Sequence, residues 1–265
     1  MRKGRTEKVL IQRIEDGQIQ RVQDEVVVEE PLEIRLDGQL VGTTMRTPGH
    51  DYELAVGFCV GENLLKEAAI SGVRYCGEGA AAEFEFNVVT VETDGRTPIP
   101  VPRLGNVSSS CGLCGSVALS ELASQLAPIL KAEEFEIDRI NAVVANVEGE
   151  QELFARTGGL HAAAVFDSEG CISVLREDIG RHNAVDKVIG NRRLEDKRSA
   201  EDLGLFVSGR ASFEMVQKAW AGGFGTVVAV SAPSALAIQV AAAANITLYG
   251  FARDGSINLY AGHND

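Results

Sequence analysis

Apolar and polar positions along the chain change period several times, and those changes mark out its elements. Residues 9–45 run as short β-prone pieces, Val26-Val27-Val28 and Leu32-Glu33-Ile34-Arg35-Leu36, with Asp37-Gly38 as a hairpin turn before Gln39-Leu40-Val41. Thr47-Pro48-Gly49-His50-Asp51 breaks this pattern. Leu54, Val56, Phe58, Leu64 and Leu65 then predict a helix over residues 50–65, with Asp51 and Glu53 at its positive end. Strand-like pieces return at Val73 to Tyr75 and Glu83 to Glu92. The run Thr97-Pro98-Ile99-Pro100-Val101-Pro102 lacks three backbone donors and reads as a linker. Beyond it, Val117, Leu119, Leu122, Leu126 and Leu130 have helical spacing, which Pro128 bends or ends early.

The remainder alternates. Strands are predicted at Ala162 to Phe166, Ile172 to Arg176, Leu203 to Ser208, Thr226 to Val230, Ile246 to Tyr249 and Ile257 to Tyr260, and helices at 137–156, 180–191, 211–221 and 233–244. Such alternation predicts an α/β sandwich with a largely parallel sheet. With 265 residues the chain has room for two units. We place a small α+β N-terminal domain over 1–105 and an α/β domain over 106–265, the latter entered through a flexible loop.

Charge narrows the function. A net charge of -13 argues against a general binder of nucleic acid or anionic membrane, because phosphate would be repelled. An anionic ligand needs a local basic patch, and Arg176 to Arg198 supplies one, with seven positive side chains against five negative. Cysteines at 59, 76, 111, 114 and 171 show no disulfide framework and suit a reducing compartment. Cys59, Cys76 and Cys171 lie in apolar runs and read as small hydrophobes. The basic start has no apolar stretch after it, and no run is long enough to span a bilayer, so a cytoplasmic protein is expected.

Chemistry concentrates at Ser108-Ser109-Ser110-Cys111-Gly112-Leu113-Cys114-Gly115-Ser116, where two thiols three apart precede a predicted helix. Unpaired N–H groups at a helix start favour a thiolate, and small neighbours leave the sulfur open to attack. Three readings suit the pair. A structural zinc site needs four ligands, and the other cysteines and histidines are scattered singly. A thiol-disulfide redox pair is chemically sound, although such motifs follow a strand rather than a Pro- and Ser-rich approach. The third reading is a sulfur relay, in which a thiolate takes sulfane sulfur as a persulfide.

A second concentration is Glu177-Asp178-Ile179-Gly180-Arg181-His182-Asn183-Ala184-Val185-Asp186-Lys187. On a helix from Gly180, His182 shares a face with Asp186, and Asn183 with Lys187. The ordinary reading is a solvated face with weak surface pairs; the other is a phosphate site at the helix start with Arg181. Ser208-Gly209-Arg210 and Ser231-Ala232-Pro233 each follow a strand and precede a helix, where α/β folds bind ligands. Together with the basic helix start they point to a cleft for an anionic, nucleotide-like ligand. Neither a P-loop nor a dinucleotide fingerprint is present. His161, after Gly158-Gly159, is a secondary candidate.

Several stretches together resemble the formate dehydrogenase accessory sulfurtransferases, the FdhD group. They are Met45-Arg46-Thr47-Pro48-Gly49-His50-Asp51, Glu53-Leu54-Ala55-Val56-Gly57-Phe58, Ser109 to Gly115, Thr157-Gly158-Gly159-Leu160-His161, Glu177 to Ala184, Ser208-Gly209-Arg210, Ser231-Ala232-Pro233 and Gly250-Phe251-Ala252-Arg253. Val60-Gly61-Glu62-Asn63 departs from the family's usual Thr-Glu-Gly and touches no candidate site.

The resemblance implies a cytoplasmic homodimer whose C-terminal domain is a cytidine-deaminase-like three-layer fold. It implies that sulfur from a cysteine desulfurase is carried on Cys111, with Cys114 as partner, to the molybdenum of Mo-bis(molybdopterin guanine dinucleotide), activating formate dehydrogenase. That cofactor is bound as substrate, and a guanine nucleotide is its mimic. The implied contacts are Phe251, Ala252, Arg253, Asp254, Gly255 and Ser256, beside Arg181, His182, Asn183, Gly209, Arg210 and Ser231. No protein-ligated metal is expected, and neither nucleic acid nor membrane is an expected partner. Deaminase chemistry is not expected either, since His161-Ala162-Ala163 lacks the glutamate and Cys111 follows Ser110 rather than proline. A cofactor-binding chaperone without sulfur chemistry is the rival.

Overall fold

A computed structural model of the chain describes residues 4–76, 86–98, 115–130, 135–196, 200–253 and 255–262. The N-terminal part holds two separate sheets among the described residues. Strands β1 (Thr6–Glu15) and β2 (Gln18–Val27) form a two-stranded ribbon turned at Asp16-Gly17. Strands β3 (Glu30–Leu36), β4 (Gln39–Arg46), β5 (Gly72–Tyr75) and β6 (Val88–Glu92) form a sheet in the order β4-β3-β6-β5. Asp37 and Gly38 both have positive φ, the geometry a two-residue hairpin turn requires. The strand expected from Glu83 begins, among described residues, at Val88, after a turn at Phe86-Asn87.

Helix α1 (Asp51–Gly61) covers that sheet, and Leu54, Ala55, Val56 and Cys59 meet Leu32, Ile34, Leu36, Val89 and Val91 in a closed apolar core. It stops at Gly61 rather than residue 65. The chain then turns back, with Leu64 N–H donating to Cys59 O, and Leu65 enters the core from the loop.

The C-terminal part is built on six strands: β7 (His161–Phe166), β8 (Ile172–Asp178), β9 (Ala200–Val207), β10 (Phe224–Ala229), β11 (Thr247–Arg253) and β12 (Ser256–Ala261). Their order is β12-β11-β10-β9-β7-β8. Only β9-β10 and β10-β11 pair in parallel; the other three pairings are antiparallel, so the sheet is mixed rather than largely parallel. Short links decide this. β7 and β8 are joined through Asp167–Cys171 and β11 and β12 through the turn at Gly255, too few residues for a crossover.

Side chains alternate across this sheet. Ala163, Val165, Leu205, Val207, Val227, Ala229 and Leu248 face α5 (Arg181–Leu194), α6 (Phe213–Ala221) and α7 (Ala235–Ala244). Ala162, Ala164, Phe166, Phe206, Val228, Tyr249 and Ala252 face α3 (Ile137–Glu150). Helices therefore cover both faces. The helix expected over 137–156 is two, because the chain breaks at Gln151 and restarts as α4 (Glu152–Thr157), whose Leu153 and Phe154 N–H groups donate to the Glu177 carboxylate.

Helix α2 (Gly115–Gln125) ends ahead of Pro128. Leu119, Leu122, Leu126 and Ile129 lie on the main core, Trp220 Nε1 donates to Ala127 O at 2.7 Å, and Asn245 Nδ2 donates to Ile129 O at 2.8 Å. The segment that follows the cysteine pair is thus clamped to α6 and α7.

The two parts meet where α1 crosses α5, and the crossing is close because each helix offers a glycine. A Cβ at Gly57 would lie 1.7 Å from the Asp186 carbonyl oxygen, and one at Gly190 would lie 1.8 Å from that of Glu53.

Candidate functional site

Parallel strands β9, β10 and β11 end side by side, and their loops form a continuous edge. Ser231 N–H donates to Gly209 O and Phe251 N–H donates to Ser231 O, each at 3.3 Å, while Ser234 N–H donates to Ala211 O at 3.0 Å. Gly209, Ser231 and Phe251, distant in sequence, are therefore neighbours.

Helix α5 begins next to this edge. A Cβ built at Gly209 would sit 3.7 Å from the His161 ring and 3.8 Å from Arg181 Cδ, so the glycine opens a notch bordered by both side chains. Arg181 Nε is buried without a hydrogen-bond partner. Such an orphaned donor costs free energy unless a ligand meets it. Ser208 Oγ accepts from Ala162 N–H at 2.8 Å and lies 3.4 Å from His161 Nδ1. Burial, followed by the nearby Arg181 and His182, pushes the His161 imidazole below its usual pKa, which keeps it neutral near pH 7.

His182 pairs with Glu214: its Nε2 lies 2.8 Å from Glu214 Oε2, and this pairing holds the glutamate below the usual carboxylate range. Arg210 and Arg253 are exposed, and the Arg253 guanidinium lies 5.9 Å from the centre of the Phe251 ring. Phe251 has φ 53, uncommon for an aromatic residue. Ala252 is buried in the core on the α3 side, while Gly255 and Ser256 are exposed at the hairpin between β11 and β12. Cys111, Cys114 and Asp254 lie outside the described residues.

Asn183 sits below the notch. It is 5 % exposed, donates to Met45 O at 2.7 Å and Asp178 Oδ1 at 3.0 Å, and accepts from Thr44 Oγ1. The charges of this helix are not a solvated face. Lys187 and Asp178, both 0 % exposed, pair at 2.7 Å, and Lys187 also donates to Thr47 O. Asp186 pairs with Lys218 at 2.8 Å. Burial alone would lower the Lys218 pKa, but Asp186 and Glu62 raise it, and the net shift is upward.

Thr47 completes the joint: its N–H donates to Asp178 Oδ2, and its hydroxyl accepts from Ile179 N–H. The end of β4 and the turn into α1, Thr44 to Asp51, therefore fix the start of α5, a role that local sequence patterning did not reveal. The break in alternation at Thr47-Pro48-Gly49 was its only local signal.

Glu53 ties α1 to the same region. It accepts from Arg176 Nε at 2.5 Å, Arg176 Nη2 at 2.7 Å and Asn191 Nδ2 at 3.1 Å, with His50 Nδ1 at 3.3 Å. Burial works to raise its pKa, yet these donors hold it down to about 2. A depressed carboxylate stabilises the fold above its unfolded pKa and loses that contribution as pH falls through the folded value. The stability difference between wild type and Glu53→Gln is therefore expected to be largest near pH 7 and to close between roughly pH 4.5 and pH 2. Urea midpoints measured across that range test this.

The remaining described cysteines are not part of this edge. Cys59 is in the N-terminal core, with its thiol pKa pushed up by burial, and Cys76 is half-buried. Cys171 is exposed in the β7–β8 loop, contrary to the packed position expected from its neighbours. No helix among the described residues is long and apolar enough to cross a membrane.

The model of the FdhD/NarQ family matches residues 27–265. The chain is 42 % identical over 270 residues to a protein of Streptomyces avermitilis named sulfur carrier protein FdhD, covering 98 % of this chain and 95 % of that one. It is 45 % identical to a protein of that name from Nocardia farcinica, covering 93 % and 89 % of the two chains. A Mycobacterium tuberculosis protein, also of that name, is 44 % identical over 89 % of each chain. A crystal structure from Desulfotalea psychrophila, described as a candidate formate dehydrogenase accessory protein, superposes with a TM-score of 0.78 over 97 % of both chains at 24 % identity, which establishes a shared fold.

Proposed function

The chain belongs to the FdhD/NarQ family, and on that premise we propose that it is a sulfur carrier for a formate dehydrogenase, working as a homodimer. It accepts sulfane sulfur from a cysteine desulfurase and passes it to the molybdenum of Mo-bis(molybdopterin guanine dinucleotide), its bound substrate. The reading is carried by relatives named as sulfur carriers that match it at 42–45 % identity over nine-tenths or more of its length.

In the first step the Cys111 thiolate attacks the outer sulfur of the desulfurase persulfide; a new S–S bond forms on Cys111 and the desulfurase cysteine leaves as thiolate. In the second, the Cys114 thiol attacks Cys111 Sγ, its proton passing to solvent. A Cys111–Cys114 disulfide forms, and the terminal sulfur leaves as sulfide to the metal. A thiol reductant then returns the pair to its starting state.

The cleft at the strand ends suits the dinucleotide. Its diphosphate needs donors, and Arg181 Nε, Arg210 and Arg253 supply them in an otherwise acidic protein. The Phe251 ring offers a stacking face. The strand order and the helices on both faces support reading the C-terminal part as cytidine-deaminase-like.

Guanosine diphosphate is the practical probe of this cleft. Arg181→Gln is expected to weaken its binding by about tenfold, as loss of one charge-assisted contact does, and to leave guanosine binding unchanged. Equal affinity of both proteins for the diphosphate, measured by calorimetry, would place the phosphates elsewhere.

A further inference from the structure

The β1–β2 ribbon takes no part in the cleft. It pairs with neither of the other sheets among the described residues, and Leu10, Ile14 and Ile19 are 72 %, 69 % and 64 % exposed. Ile14 and Ile19 face one another across the ribbon. A two-stranded ribbon alone is marginal in water, and this one spends apolar side chains on solvent.

The body holds the ribbon at its base, where α4 packs on β2 and Arg156 pairs with Glu25 and donates to Thr6 Oγ1 at 3.3 Å; beyond Thr6 the β1 edge is free of such ties among the described residues. The β1 edge has ten residues in unbroken register with β2, without proline or bulge. Those are two of the devices that protect such an edge from pairing with another chain, and the charges of β1, a third, match in the register proposed below.

We propose that β1 pairs antiparallel with β1 of a second copy, about a two-fold axis at Leu10. The register follows from the turn and the charges. Asp16-Gly17 is a two-residue turn flanked by the pair Glu15 and Gln18. In such hairpins the flanking pair is hydrogen-bonded, so odd-numbered residues of β1 bond to β2 and Thr6, Lys8, Leu10, Gln12 and Ile14 point their backbone groups outward. A symmetric pairing must match outward residues with outward residues, so the axis passes through one residue.

Centred on Ile11, the pairing sets Glu7 against the partner's Glu15. Centred on Val9, it sets Arg5 against the partner's Arg13. Centred on Gln12, it shortens the ladder, sets Lys8 against the partner's Asp16 at the turn rather than within the strand, and puts Ile11 against the partner's Arg13. Centred on Leu10, it sets Glu7 against the partner's Arg13 twice, Val9 against the partner's Ile11 twice, and Leu10 against itself. Charges then match, Val9, Leu10 and Ile11 meet in the middle, and Ile14 lies against the partner's Thr6. Inside one copy the nearest carboxylate recorded for Arg13 is that of Glu15, at 4.0 Å on the surface. The result is a four-stranded sheet shared by two copies, an isologous contact of the usual closed kind.

The inference rests on the homodimer reading and is separable from it. Sedimentation of the full chain is expected to give twice 28.3 kDa. Glu7→Arg and Arg13→Glu should each weaken dimerisation by about 10- to 30-fold, since symmetry turns two attractive cross-strand pairs into two repulsive ones. The double variant should recover wild-type affinity to within about threefold. Both positions lie on the exposed ribbon, and unchanged thermal unfolding at high dilution confirms that the body is intact. A monomeric wild type overturns the dimer itself. A dimer that ignores both reversals, or that the double variant fails to restore, overturns the arm and leaves the dimer standing.

Discussion

Replacing Cys111 with alanine is expected to reduce activation of a formate dehydrogenase by about a thousandfold or more, the scale on which loss of a nucleophile acts. Guanosine diphosphate binding and thermal stability should stay at wild-type levels. The separation is what the proposed division of labour demands: Cys111 forms the bond to sulfur, while the ligand is held at the strand ends by Arg181 and the Gly209 notch. Cys114→Ala should lose less, because a persulfide on Cys111 can still form and only its release is slowed. A chaperone that merely holds cofactor would activate its client equally well with alanine at either position. Activation assays on the two variants, with nucleotide binding as the control, therefore decide between the two readings.

Replacing Arg46 with alanine is expected to lower the free energy of unfolding by about 3–5 kcal/mol, as removal of one member of a buried pair does. Arg46 is 1 % exposed and grips both oxygens of Asp51, at 3.0 and 3.1 Å. It also donates to Phe86 O and Asn87 Oδ1, while Asp51 accepts from Tyr75 Oη and Gly49 N–H. Alanine would leave a 4 % exposed carboxylate without its cation, and two strands and α1 without their common tie. Arg46→Lys keeps the charge and loses the fork, so it should recover only part of the loss. Urea unfolding measures both, and a loss below about 1 kcal/mol for alanine would mean that the pair contributes no more than a surface contact.

Element positions in the C-terminal half were legible because each apolar run ends at a turn signal, and because buried strands and helices have different lengths. Strand direction was not. It depends on how the chain returns, and the short Asp167–Cys171 link forces β8 back against β7 where alternation alone suggested a crossover. The strand-end edge was legible as three separate glycine- or serine-bearing strand ends, and their adjacency is what the structure adds. Least legible was the joint beneath it. Arg46 and Asp51 are five residues apart, yet Thr47 and Asp178 are 131 apart, and no local pattern announces that pairing. Nor does spacing reveal that Lys187 and Asp186 are buried on opposite pairs rather than solvated. The cysteine pair itself lies outside the described residues, and its spacing alone left zinc, redox and sulfur-relay chemistry open.

The central claim is that sulfur rides on this pair. Its most direct measurement is the intact mass of the full chain after incubation with a cysteine desulfurase and cysteine. The mass is expected to rise by one sulfur atom, reversibly with a thiol reductant, with the label on the peptide that carries Cys111 and none on the Cys111→Ala protein. An unchanged mass, or a label found only on Cys59, Cys76 or Cys171, would contradict it.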